Sequence, residues 1–185
     1  MVQLLNRTPH RRIAGAALRR RPGRAFVTWL AGTQRGRKVD LAVVKITGKS
    51  LMTYSFTAMN SLDNLDVLII HTIGRKTGEP RSTAIPYFRV DDGLYVIASA
   101  GGQDANPAWI HNLRATQGVS ELTINRIRRP SVGTELPANS EERARVWDRI
   151  LSIAPVFSDY QSKTTRILPV IRFEDVHPQQ GRGKL

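Results

Sequence analysis

Seven consecutive residues, Val67-Leu68-Ile69-Ile70-His71-Thr72-Ile73, form a nearly unbroken β-branched apolar run. Such a strand leaves no face for water, so it belongs in a sheet covered on both sides. Thr83 to Val90 reads as a second strand, Asp91-Asp92-Gly93 as a three-residue turn, and Leu94 to Ala98 as the returning arm of a hairpin. Val119 to Ile124, Arg129 to Leu136 and Ile167 to Phe173 read as further strands. Two helices interrupt them. One opens at Asn106-Pro107, with Asn as N-cap and Pro at the first helical position, carries Trp109, Ile110 and Leu113, and stops near Gly118. The other runs from Ser140-Glu141-Glu142 through Ile153 and is ended by Pro155. Sequential strands with isolated helices predict an α+β fold built on a mostly antiparallel barrel, not a parallel βαβ sheet.

At 185 residues the chain can bury a core without metal or disulfide support. It has no cysteine, which excludes a disulfide framework, thiol catalysis and the usual zinc clusters. His10, His71, His111 and His177 lack ligand spacing, so no metal site is expected. The net charge of +13 first points to a polyanionic partner, but residues 1–50 hold 12 Lys and Arg against one acid, Asp40. Residues 51–185 hold 16 against 14. The basicity therefore belongs to an N-terminal arm, taken here as residues 1–37, ahead of a nearly neutral domain at 38–176 and a polar tail at 177–185.

In the arm, Arg11, Arg12, Arg19, Arg20, Arg21 and Arg24 flank the apolar run Ile13 to Leu18, and a second apolar piece, Ala25 to Ala31, carries Phe26 and Trp29. Neither piece reaches the ~20 apolar residues of a membrane span, and neither has the form of a secretory signal. Two readings of the arm stand. It is a short basic amphipathic segment lying on an anionic lipid surface, or a solvated leader without fixed structure. It lacks the interleaved aromatics and structured basic face of a nucleic-acid site, so no nucleic-acid partner is expected.

Three stretches could carry chemistry. Gly74-Arg75-Lys76-Thr77-Gly78-Glu79-Pro80-Arg81 joins two strands; Glu79 stands where a P-loop needs its Lys, so nucleotide hydrolysis is not supported. Arg75, Lys76 and Arg81 on this turn suit phosphate or carboxylate groups, or form a charged hairpin with solvated side chains. Ser99-Ala100-Gly101-Gly102 leads through Gln103 to the helix at Asn106-Pro107, and its glycines let backbone approach a planar ligand. Trp109 and Asn112, three apart on that helix, could face one site together, though Trp109 alone reads as core. Pro155 to Gln161 reads as an aromatic-bearing loop in which the Tyr160 hydroxyl can donate a proton or hydrogen bond, or in which Phe157 and Tyr160 pack against the barrel.

Taken together, Thr72 to Arg81, Pro107-Ala108-Trp109-Ile110-His111-Asn112-Leu113 and Tyr160-Gln161 resemble the deazaflavin-dependent nitroreductase family. Lys45-Ile46-Thr47-Gly48-Lys49 is similar to the family's basic Thr-Gly-Gly segment, with Lys49 in place of the second Gly. The resemblance runs from about Lys38 to Val176. It implies a split β-barrel of the FMN-binding type with flanking helices, using coenzyme F420, with FMN less favoured. Arg75, Lys76 and Arg81 would hold the cofactor's anionic tail. Pro86, Ser99, Ala100, Gly101, Gly102, Pro107, Ala108, Trp109, Asn112 and Leu113 would cradle its ring and phosphate. Tyr160, with Ser99 second, would orient or protonate the substrate.

The implied activity is hydride transfer from F420H2 to a small lipophilic acceptor such as a quinone, nitro compound or enone. An FMN-dependent split-barrel reductase and a non-catalytic F420 carrier are the alternatives. Ala154 and Phe157 stand where strongly nitro-reducing members carry tyrosine, a departure that favours quinone-like acceptors. Arg outnumbers Lys 22 to 6, compatible with a GC-rich, F420-producing actinobacterium. The expected setting is cytoplasmic, with the arm on the inner face of the plasma membrane, and the expected state a monomer or homodimer.

Overall fold

The computed structural model describes residues 9–60 and 62–175. Seven strands, β1 (Val67–Ile73), β2 (Pro80–Pro86), β3 (Phe88–Val90), β4 (Gly93–Ile97), β5 (Val119–Ile124), β6 (Ile127–Glu135) and β7 (Val170–Asp175), form one sheet. Its order is β2-β1-β5-β6-β7-β4-β3 and each pairing is antiparallel. The sheet curls until β2 touches β4, which gives the split half-barrel. Around it lie α1 (Pro9–Leu18), α2 (Arg21–Gly32), α3 (Gln34–Thr47), α4 (Leu51–Met59), α5 (Ala108–Ala115), α6 (Glu141–Ile153) and α7 (Val156–Ser162).

The apolar run is β1, and both of its faces are covered. Leu68 and Ile70 point into the barrel with Val96, Leu122, Ile171 and Phe173, closed at one end by Trp109, Ile110 and Leu113 of α5. Val67 and Ile69 pack outward under Val44 of α3. On β4 the same alternation sends Val96 inward and puts Tyr95 and Ile97 among Val146 and Ile150 of α6. Burying both faces removes most of each side chain from water, at about 25 cal/mol per Å² of apolar surface.

Several boundaries differ from the sequence reading. The expected strand at 83–90 starts earlier, at Pro80, and breaks at Tyr87, whose N–H turns to the Asp66 carbonyl at 3.0 Å. Pro86 marks the break because it has no N–H for the ladder. The last strand begins at Val170, past Pro169, and runs to Asp175. The first predicted helix begins at Ala108 with Pro107 as its N-cap, so Asn106 does not cap it. Residues 155–161 do not form a loop: Val156 to Ser162 is α7.

Upstream of β1 the chain is helical from Pro9, where the sequence reading found no elements. The Thr33 hydroxyl accepts the Gly36 N–H at 2.9 Å to open α3, and Gly48, at φ +73°, ends it. Ser50 caps α4 by accepting the Thr53 N–H at 2.9 Å, and donates to Asp40, which also takes the Met52 N–H at 3.0 Å. Thr53, Ser55 and Thr57 occupy buried positions of α4, so its apolar periodicity is masked. The helix α3 runs through residue 37 without a break. Leu30 of α2 is fully buried, whereas Phe26 and Trp29 are exposed and stack 6.3 Å apart. Among the described residues no helix is long and apolar enough to cross a membrane. The residues of the tail and of the arm before Pro9 lie outside the described residues.

Candidate active site

Because β1, β6 and β4 run the same way in the antiparallel sheet, the loops that follow β1 and β4 leave from one end of the barrel. That end carries α5. The loop after β1 is the Gly74–Arg81 turn. The Gly74 N–H bonds to the Glu79 carbonyl at 2.8 Å, and the Gly78 N–H returns to Gly74 at 2.7 Å with Gly78 at φ +68°. Asn112 ties the turn to α5: it accepts the Arg75 backbone N–H at 3.1 Å and donates to the Thr72 hydroxyl at 3.2 Å. With both ends of its amide engaged, buried Asn112 shapes the turn from below.

The three cations of this turn differ. The Arg81 guanidinium is held by Glu79 at 2.8 Å and by the Thr77 hydroxyl at 3.4 Å. Arg75 and Lys76 are exposed, and no described carboxylate pairs with either side chain. Two uncompensated cations on a fixed backbone are the donor set a polyanionic tail needs.

The loop after β4 passes through three successive left-handed residues, Ala100, Gly101 and Gly102, at φ +49°, +66° and +84°. Gly101 has open space where a Cβ would stand, so its backbone is accessible to a ligand. Gly102 is instead pressed against α7: a Cβ there would lie 2.6 Å from the Tyr160 carbonyl oxygen. The side of α7 facing this loop carries Tyr160, whose ring meets Phe157 edge-on at 5.6 Å and Phe56 of α4 at 6.5 Å, with the Lys163 ammonium 5.5 Å from its centre. Burial, reinforced by Asp159, pushes the Tyr160 phenol above its ordinary pKa, so it stays a proton donor at neutral pH. Phe157 is core and packs on Phe88, and Ala154 is fully buried beside it.

The structure thus brings Arg75, Lys76, Asn112, Ser99 to Gly102 and Tyr160 to one end of the barrel. It places Trp109 and Leu113 in the barrel core, as closing side chains of the interior. Pro107 is half-buried at the entry to α5 and Ala108 is exposed on it. Pro86 lies at the far end of β2, opposite Val67 in register, away from the Gly74 turn. A cleft of about 480 Å³ opens at the other end of the barrel, between Gly93, Ile124, Ile127 and Asp175, and contains none of the residues named for the site.

Sequence reasoning missed Arg166. Its guanidinium donates to the carbonyls of Ala98 at 3.2 Å, Ser99 at 2.6 Å and Gln103 at 2.7 Å, and to the Asn106 side-chain oxygen at 2.9 Å. The signal was slight: one arginine three residues after Lys163, amid Thr164-Thr165-Arg166-Ile167-Leu168. Phe56 was missed because α4 was missed.

The family model for F420H(2)-dependent quinone reductases matches residues 44–175, which span every element from the end of α3 to β7. The chain belongs to that family. An F420H(2)-dependent quinone reductase of Mycobacterium tuberculosis is 34% identical over 105 residues, 56% of this chain and 70% of that relative. Among solved structures, an F420-H2 dependent reductase is 27% identical with a TM-score of 0.51, covering 58% of this chain and 93% of that one. A chain solved as a domain-swapped dimer, 23% identical with a TM-score of 0.53, covers 77% of this chain and 99% of its own, and shares the fold. Membership makes the chain an F420H2-dependent oxidoreductase with coenzyme F420 as its cofactor. The observed donor set fits that group: two unpaired cations for its anionic tail, and an accessible Gly101 backbone for close approach.

Proposed function

We propose that the protein reduces a lipophilic quinone with F420H2 at the α5 end of the barrel. The reading is carried by one arrangement: the unpaired cations Arg75 and Lys76 sit on a turn that Asn112 fastens to α5, and the Ser99–Gly102 loop leads into that same helix. In this reading Arg75 and Lys76 hold the cofactor's tail, and the Ser99 to Gly102 backbone lies against its ring and phosphate. The bound deazaflavin supplies the hydride. Arg81 supports the turn through Glu79 and Thr77 and contributes less to the tail. Tyr160 meets the loop through its backbone, and in this reading its protonated phenol donates to the acceptor oxygen as it gains charge. Phe56 beside Tyr160 gives the acceptor side an aromatic wall, backed from the core by Phe157.

A quinone fits this wall better than a polar acceptor, and quinones dissolve in membranes. The stacked, exposed pair Phe26 and Trp29 on α2, near Arg19, Arg20 and Arg21, supports contact with an anionic membrane surface. Cosedimentation with phosphatidylglycerol vesicles, but not with phosphatidylcholine vesicles, tests this part; it should be lost when Phe26 and Trp29 are both replaced by Ala. Anaerobic mixing of F420H2, a naphthoquinone and the protein tests the whole: cofactor oxidation should depend on the protein, and it should fall in Tyr160→Phe.

A further inference from the structure

We propose that Arg166 is the positioning residue of the cofactor site, holding the turn from Ala98 to Asn106 in the shape whose backbone N–H groups face an anionic group of the cofactor. This rests on the placement of the cofactor given above and adds a residue and a ligand chemistry to it.

The first support is the acceptor set. One guanidinium reaches both ends of the turn, Ala98 and Ser99 on one side and Gln103 and Asn106 on the other, at 2.6 to 3.2 Å. The Thr164 hydroxyl, two residues earlier, donates to Asp104 at 2.8 Å and ties the same segment to the middle of the turn. A planar fork can serve four acceptors in different directions; the ammonium of Lys radiates from one point and cannot.

The second support is the direction of the peptides. Every described peptide bond is trans, so each N–H points opposite to the preceding carbonyl. With the carbonyls of Ala98, Ser99 and Gln103 turned to Arg166, the N–H groups of Ser99, Ala100 and Asp104 face the other side. None of these three N–H groups donates to another described residue, so each is free to meet an anionic oxygen on the side away from Arg166. No described carboxylate forms an ion pair with Arg166, although the Asp104 charge lies near enough to act on it.

The third support is strain. Ala100 holds φ +49°, which its Cβ disfavours, followed by two left-handed glycines. Such a conformation persists only where its surroundings over-determine it. The Arg166 bonds on one side and the contact of Gly102 with the Tyr160 backbone on the other do so.

The test is a fluorescence titration of the full-length protein with coenzyme F420, alongside amide hydrogen exchange of residues 99–106 in the free protein. Arg166→Ala should bind F420 at least about tenfold more weakly and exchange faster in this turn. Arg166→Lys should resemble it, and millimolar guanidinium ion should restore Arg166→Ala. If Arg166→Ala does not fold, Asn106→Ala removes one of the four acceptors and should show the same pattern at smaller size. Unchanged F420 affinity in folded Arg166→Ala overturns the assignment, whether exchange or melting temperature moves or not. No F420 binding by the unaltered protein overturns the cofactor placement as well, which separates the two failures.

Discussion

The side-chain oxygen of Asn112 accepts the backbone N–H of Arg75 at 3.1 Å, so a buried residue of α5 sets the direction in which the Arg75–Lys76 turn presents its cations. Its nitrogen donates at 3.2 Å to the hydroxyl of Thr72, which lies on β1 three residues before Arg75. The carboxyl end of β1 and the helix at the mouth of the barrel are therefore one unit.

Replacing Asn112 by Leu leaves the Arg75 N–H and the Thr72 hydroxyl without partners. Unfolding should become easier by about 1–3 kcal/mol in chemical denaturation. F420 should also bind more weakly, because the turn loses its fixed direction. Asn112→Asp should be partly rescued, since a carboxylate still accepts from Arg75.

The two unpaired cations should matter more than the paired one. Arg75→Ala and Lys76→Ala should each weaken F420 binding by roughly tenfold, and their combination should flatten its dependence on salt. Arg81→Ala should cost less, because Glu79 already holds that guanidinium. Titration at two ionic strengths checks all three. A cofactor truncated before its glutamate tail should not distinguish them from the unaltered protein.

Tyr160→Phe should lower kcat by roughly a hundredfold or more with F420 affinity kept, as expected for loss of a single proton donor. Since burial raises the phenol pKa above its ordinary 10.0, the unaltered protein should show no alkaline fall in kcat from this group below about pH 10. A pH–rate profile of both proteins reads this directly.

The melting temperature should fall as pH drops below 6.5, and His71 should account for part of the fall. On the outer face of β1 its ring nitrogens meet the Ser82 and Thr123 hydroxyls, both at 2.8 Å. Burial, then Arg128, hold its pKa below 6.5 in the folded state. The unfolded chain therefore takes up the proton first, so stability is full above pH 6.5 and is lost as pH falls from there towards the folded pKa. His71→Gln should flatten this part of the curve in scanning calorimetry.

The strands were legible because their signals are local. The run at 67–73 is β1 residue for residue, and the expected hairpin is present, although its turn is Asp91-Asp92 alone because Gly93 already pairs with Val90 in β4. The helices before β1 were not, since α4 buries threonine and serine and its cap depends on Asp40, ten residues before Ser50. In the site, the cations of the Gly74 turn and the strained loop were visible as motifs. That Asn112 faces inward to hold Arg75, and that Arg166 reaches back over sixty residues to the loop, are facts of tertiary contact. No window of sequence contains both partners. Trp109, core when taken alone and part of the cofactor cradle by the resemblance, lies buried in the barrel.

The most direct measurement is anaerobic stopped-flow mixing of the protein, loaded with F420H2, against a naphthoquinone, following the return of oxidised deazaflavin absorbance. A protein-dependent rise that saturates with quinone, slows in Tyr160→Phe, and needs more cofactor in Arg75→Ala is the predicted result. Tight F420H2 binding with no protein-dependent oxidation by quinone, nitroaromatic or enone acceptors would contradict the account.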